Sequence, residues 1–138
     1  MRASLRVAAM VIVTGLWSIG ISSGQDGLTK QDRQGPVTVA VTLIGPPASD
    51  DPVKAKVVLD THSVPLDGIV FEKAVVIRTP EGADIAPTTV EQAKGSGHHR
   101  EAVLVFPPVS GPGPVRIVVR DVGGIAERNF SWELSPTR

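Results

Sequence analysis

From Val37 to Leu43 the chain alternates. Val37, Val39, Val41 and Leu43 fall on one side of an extended backbone, and Thr38, Ala40 and Thr42 on the other. Successive side chains of a strand point to opposite faces, so a period of two predicts a strand with one face buried. Val53, Ala55, Val57 and Leu59 repeat the pattern, with Lys54 and Lys56 outside. Ala74 to Arg78 is a short apolar run closed by Thr79-Pro80-Glu81-Gly82, a turn with proline at its second position. Thr88 to Ala93, Glu101 to Phe106 and Val115 to Arg120 read as further strands, and Arg128, Phe130 and Trp132 share one face of the last. Glycine and proline clusters at 45–47, 107–114 and 123–124 separate them. About seven short strands with regular turns predict an all-β fold, an immunoglobulin-like β-sandwich. No stretch beyond residue 24 has a helical period.

The first 24 residues follow another plan. Arg2 and Arg6 precede Val7–Ile21, which is almost wholly apolar and uncharged, and Ser22-Ser23-Gly24 supplies small residues. This is the layout of a secretory signal peptide. The apolar run is about 15 residues against roughly 20 needed to cross a bilayer as a helix, so cleavage after Gly24 is expected rather than an uncleaved anchor. The predicted organisation is a signal peptide over 1–24, a polar flexible leader over 25–35 and a β-sandwich over 36–138. The expected location is the periplasm or the extracellular space, with no transmembrane segment in the mature chain.

Composition narrows the function classes. The chain has 138 residues, 14 basic and 14 acidic, and no cysteine. Loss of Arg2 and Arg6 with the signal peptide would make the remainder slightly acidic. No basic stripe exists and the four aromatics beyond residue 24, Phe71, Phe106, Phe130 and Trp132, are scattered, which argues against nucleic-acid binding. Without cysteine, thiol redox chemistry and thiolate metal sites are excluded, and no disulfide offsets a small core.

The three histidines lie in two short segments, Leu59-Asp60-Thr61-His62-Ser63 and Gly97-His98-His99-Arg100-Glu101. In extended chain Asp60 and His62 project on the same side. Loops of a sandwich cluster at its two ends, so Asp60, His62, His98 and His99 meet if these segments share an end. An imidazole–carboxylate set suits copper or zinc. The bland alternative is that the histidines are polar turn residues. A Ser-His-Asp reading of His62, Ser63 and Asp67 fails on geometry, because adjacent residues of an extended chain point apart. Arg120-Asp121 and Glu127-Arg128 flank Gly123-Gly124 and are expected to pair across a hairpin. Asn129-Phe130-Ser131 matches a glycosylation acceptor but falls inside a predicted strand.

Three segments, LDTHSVPLDG at 59–68, GHHREAVLVFP at 97–107 and RDVGGIAERNFSWEL at 120–134, resemble a group of small exported bacterial β-domains without an assigned activity. The architecture is similar to that of periplasmic copper-binding proteins of the CopC type. That resemblance implies a cysteine-free sandwich, but those proteins use an amino-terminal histidine, whereas this mature chain would begin at Gln25 and has no Met-rich segment. The expected function is a non-enzymatic binding or accessory domain that holds copper or zinc through His62, His98 and His99, with Asp60 in support. The alternative is a structural or protein-interaction module with a partner in an envelope or extracellular assembly.

Overall fold

The alternation read along Val37–Leu43 is realised as a strand whose odd-numbered residues are buried and whose even-numbered residues are half-buried. The computed structural model describes residues 25–134; the expected signal peptide lies outside them. A single 3-10 turn (Gln25–Leu28) precedes β1 (Thr29–Asp32), β2 (Val37–Leu43), β3 (Val53–Thr61), the one-turn helix α1 (Phe71–Ala74), β4 (Val75–Arg78), β5 (Asp84–Ile85), β6 (Thr89–Ser96), β7 (His99–Phe106), β8 (Val115–Val122) and β9 (Ile125–Trp132). The strands form two antiparallel sheets, one ordered β1-β2-β3-β7-β6 and the other β5-β4-β8-β9. The fold is an all-β sandwich. No helix among the described residues is long and apolar enough to cross a membrane.

The core lies between the sheets. Val37, Val39, Val41, Val57, Leu59, Leu104 and Phe106 from one face meet Val75, Ile77, Val115, Ile117, Val119, Phe130 and Trp132 from the other. Phe130 and Trp132 stack with ring centroids 6.5 Å apart. Full burial of one such aliphatic side chain is worth about 1.5–3 kcal/mol, and in a cysteine-free domain this term must outweigh chain entropy unaided.

Residues 25–35, expected as a flexible leader, contain β1. Its four residues pair with β2 from Thr29↔Thr42 to Asp32↔Val39. The sequence Thr-Lys-Gln-Asp has no apolar alternation because β1 is an edge strand exposed on both faces. What fixes it is a charge. Arg128 of β9, with a side chain 0% exposed, donates to Asp32 Oδ1 at 2.8 Å, to the Val37 carbonyl at 2.9 Å and to the Val122 carbonyl at 3.0 Å. The bond to Asp32 ties the edge of one sheet to the edge of the other. Lys30 adds a second tie, with its ammonium 5.6 Å from the Trp132 ring centroid. Burial raises the Asp32 pKa, but hydrogen bonds from Gln34 and the Arg128 charge outweigh it, so the carboxyl stays below its usual range. The adjoining β8–β9 turn is equally tight. Gly123 has φ +63, and a Cβ there would meet Val37 Cγ2 at 2.8 Å.

The outer face of the four-stranded sheet carries a charged lattice. Arg78 bonds Asp84 through Nε at 2.7 Å and Nη2 at 3.1 Å, and Glu127 through Nη1 at 2.9 Å and Nη2 at 2.8 Å. Arg120 reaches Asp84 at 3.2 Å. The expected direct pairing across the β8–β9 hairpin is therefore replaced. Arg120 and Glu127 are in register, but each turns to a partner on the β4–β5 side, where Arg78 offers a planar two-pronged donor. Beneath the lattice lie Val76 and Val118, paired across β4 and β8, buried yet outside the central core.

β6, the edge of the five-stranded sheet, is irregular. Its register against β7 shifts between Glu91 and Lys94, and Gln92 sits at φ +50.

Replacing Asp32 by Ala leaves the buried Arg128 guanidinium without its counter-charge, and urea denaturation should report a loss of about 2–4 kcal/mol. The carboxyls of Asp84 and Glu127 are held low, first by hydrogen bonds from Arg78. Groups depressed on folding add stability above their unfolded pKa, near 4 for Asp and Glu, and lose it as pH falls through the folded value. Melting temperature should therefore fall below about pH 4, and the fall should be shallower in Arg78→Met.

Candidate functional site

The two histidine segments meet at one end of the sandwich. Asp60 stands near the end of β3 on the outer face, and His99, the first residue of β7, lies directly opposite it. A two-residue turn, Gly97-His98, joins β6 to β7, with Ser96 and His99 as the closing pair. Gly97 at φ +64 meets the need of such tight hairpins for a left-handed first residue. Gly95, at φ +89, is also required, because any Cβ there would collide with the His99 carbonyl.

His99 is bracketed by carboxylates. Its Nδ1–H donates to Asp60 Oδ1 at 2.5 Å, and its Nε2 lies 3.6 Å from Glu101 Oε2. Glu101 also receives Lys94 at 2.8 Å and Lys56 at 3.4 Å. The result is an outward-facing chain of alternating charge across β3, β7 and β6. The hydrogen bond to Asp60 raises the His99 pKa, with burial opposing and the Asp60 and Glu101 charges adding. Glu101 is lowered, chiefly by its bond from Lys94. Asp60 and His99 are 56% and 52% exposed, so this pair is screened by solvent.

The β3–α1 connection is clamped to the β6–β7 turn. The Thr61 N–H donates to the His98 carbonyl at 3.0 Å and the Leu66 N–H to the Gly97 carbonyl at 2.8 Å. The Gly97 N–H donates back to Asp67 Oδ1 at 2.9 Å. Arg100 donates to the carbonyls of Leu66 and Ile69 and lies over the Phe71 ring at 5.0 Å. Thr61 finishes the corner, donating its hydroxyl to the Pro36 carbonyl and accepting the Ser63 N–H. These contacts place the Cα atoms of His62 and His98 no more than about 11 Å apart by backbone dimensions.

Of the four expected ligands, Asp60 and His99 touch. His62 and His98 are exposed on the same end. Among the described residues no group of three or more His, Cys, Asp or Glu side chains is arranged to hold a metal ion. Both nitrogens of His99 face carboxylates, which favours the imidazolium, so a metal there competes with a proton. Asp67 accepts the Gly97 N–H and so serves the backbone clamp. Glu101, Lys94, Lys56 and Arg100 went unread as members of this end. The signal for Glu101 was present, since it stands two residues after His99 and shares its face. Compared with protein families, characterised proteins and solved structures, the chain matches none.

Replacing Asp60 by Asn should lower the His99 pKa, read from the pH titration of its imidazole resonances. A raised histidine pKa adds stability that is full below the unfolded value, near 6.5, and is lost as pH rises through the folded value. The stability difference between wild type and Asp60→Asn should accordingly be larger at pH 5 than at pH 9.

Proposed function

We propose that the chain is an exported, non-enzymatic binding domain that works through the histidine-bearing end of its sandwich, with copper or zinc as ligand. The observation that carries this reading is the backbone clamp from Thr61 to His98 and from Leu66 to Gly97, which sets two histidine-bearing loops side by side. His62 and His98, both exposed, are the primary ligands in this reading. Asp60 and His99 join them when His99 gives up its proton. Imidazole and carboxylate donors together suit Cu(II) and Zn(II). Neutral imidazole is the ligand form, so capture weakens as pH falls. Export to the periplasm or beyond rests on the signal-peptide layout of residues 1–24. An immunoglobulin-like assignment is supported by strand order, because β2-β3-β7-β6 and β5-β4-β8-β9 follow the A-B-E-D and C′-C-F-G sequences of such domains.

A second reading, an interaction module of an envelope or extracellular assembly, draws on the same clamp. A loop held this firmly presents a fixed surface, and Val70, 48% exposed on it, offers apolar contact.

Calorimetric titration of the purified chain with Cu(II) and Zn(II) separates the two. One-site binding tighter than about 1 μM at pH 7, weaker at pH 5 and lost in His62→Ala/His98→Ala, is the expected result. Millimolar uptake unchanged in the double variant would discard the metal and leave the protein-partner reading.

A further inference from the structure

The clamped loop has a second side. Its residues Ile69 and Val70, with Lys73 and Ala74 of α1 and Arg120 and Asp121 of β8, line a cleft of about 220 Å3. That is smaller than the roughly 300–1,000 Å3 of drug-sized ligand pockets. It is room for one small molecule.

The cleft carries charge of both signs. Arg78, Asp84, Glu127 and Arg120 neutralise one another close by. Lys73 and Asp121 have opposite charge and line the same cleft, yet neither has an ion-pair partner among the described residues. They therefore stand more than 4.0 Å from each other. Arg120 uses Nη1 for Asp84 and Nη2 for the Lys73 carbonyl. A guanidinium has five N–H donors, so it keeps others free. The rest of the lining is hydrocarbon, from Ile69, Val70 and Ala74.

The backbone at Asp121 is also out of the ordinary. Its φ of +55 lies in the left-handed region, which few residues other than glycine, asparagine and aspartate enter. It interrupts the alternation of β8. Val119 and Val122, three residues apart, both face the core, and Asp121 is exposed at the cleft. The cleft is also preformed, because Arg100 holds the Leu66 and Ile69 carbonyls from behind, and a preformed wall lowers the ordering cost of binding.

We infer that this cleft binds a small aliphatic α-amino acid as its zwitterion. The carboxylate is held by Lys73 and the free N–H groups of Arg120, the ammonium by Asp121, and the side chain lies against Ile69, Val70 and Ala74. A simple carboxylate would leave Asp121 repelling it, and a simple amine would face Lys73 and Arg120. Only a ligand with both charges satisfies the two unpaired groups. The site shares no residue with the proposed metal ligands and stands or falls separately from them.

The test is titration of the purified full chain with L-leucine, followed by backbone amide NMR, against isocaproate and isoamylamine, which each lack one charged group. The expected result is saturable shifts confined to 68–74 and 120–122, with a dissociation constant on the order of 1 mM or tighter and each analogue roughly tenfold weaker. Lys73→Gln and Asp121→Asn should each weaken leucine at least about fivefold; both sites are exposed, and asparagine tolerates the left-handed backbone, so the fold is kept. No saturation by about 10 mM, isocaproate binding as well as leucine, or full affinity in Asp121→Asn would overturn the assignment.

Discussion

A guanidinium buried in hydrocarbon loses several kcal/mol of hydration, and this loss is recovered only if its donors find acceptors. Arg128 meets that demand at both terminal nitrogens, with acceptors from three places: Asp32 at the end of β1, the Val37 carbonyl at the start of β2 and the Val122 carbonyl at the β8–β9 turn, while its buried Nε is left without a partner. The demand organises one whole edge of the sandwich. β1 has to be present, since it supplies the counter-charge. The chain between Asp32 and Val37 has to turn back sharply, and Gly123 has to lack a side chain to let Val37 approach. A polar edge strand, a hairpin turn and the packing of two sheets thus rest on one side chain.

This explains which parts of the fold were legible. Strands β2, β3, β8 and β9 read correctly because each buries one face, and burial imprints a period of two. The alternation even placed Arg128 on the inner face with Phe130 and Trp132. β1 carries no such imprint, since its reason for existing lies 96 residues away along the chain. β5, of two residues, and α1, of four, are too short for any period to register. Residues 99 and 100 belong to β7, two positions ahead of the strand read over Glu101 to Phe106. The turn before them is only two residues wide, and the His99–Asp60 contact lies within the ladder.

The histidine end was legible as a possibility of topology and no further. Sandwich loops gather at the ends, and these two do. The sequence alone does not say that backbone groups, rather than histidine side chains, join them, nor that Glu101 and two lysines extend the Asp60–His99 pair into a network of five side chains. Such contacts depend on register between β3, β7 and β6, and register is a property of pairs of strands. The cleft beside α1 is illegible for the same reason, because it is made from the back of a loop and a left-handed residue on a distant strand.

The irregularity in β6 has a bearing on how copies of this chain behave together. An edge strand offers unpaired amide and carbonyl groups at the spacing another strand needs, which makes it a template for fibre growth. β6 is eight residues long and polar, long enough to serve. The register shift at Glu91–Lys94 and the left-handed Gln92 break that spacing near the middle. An incoming strand finds at most a few residues in step before the pattern slips, so templated polymerisation along this edge would first have to flatten the backbone.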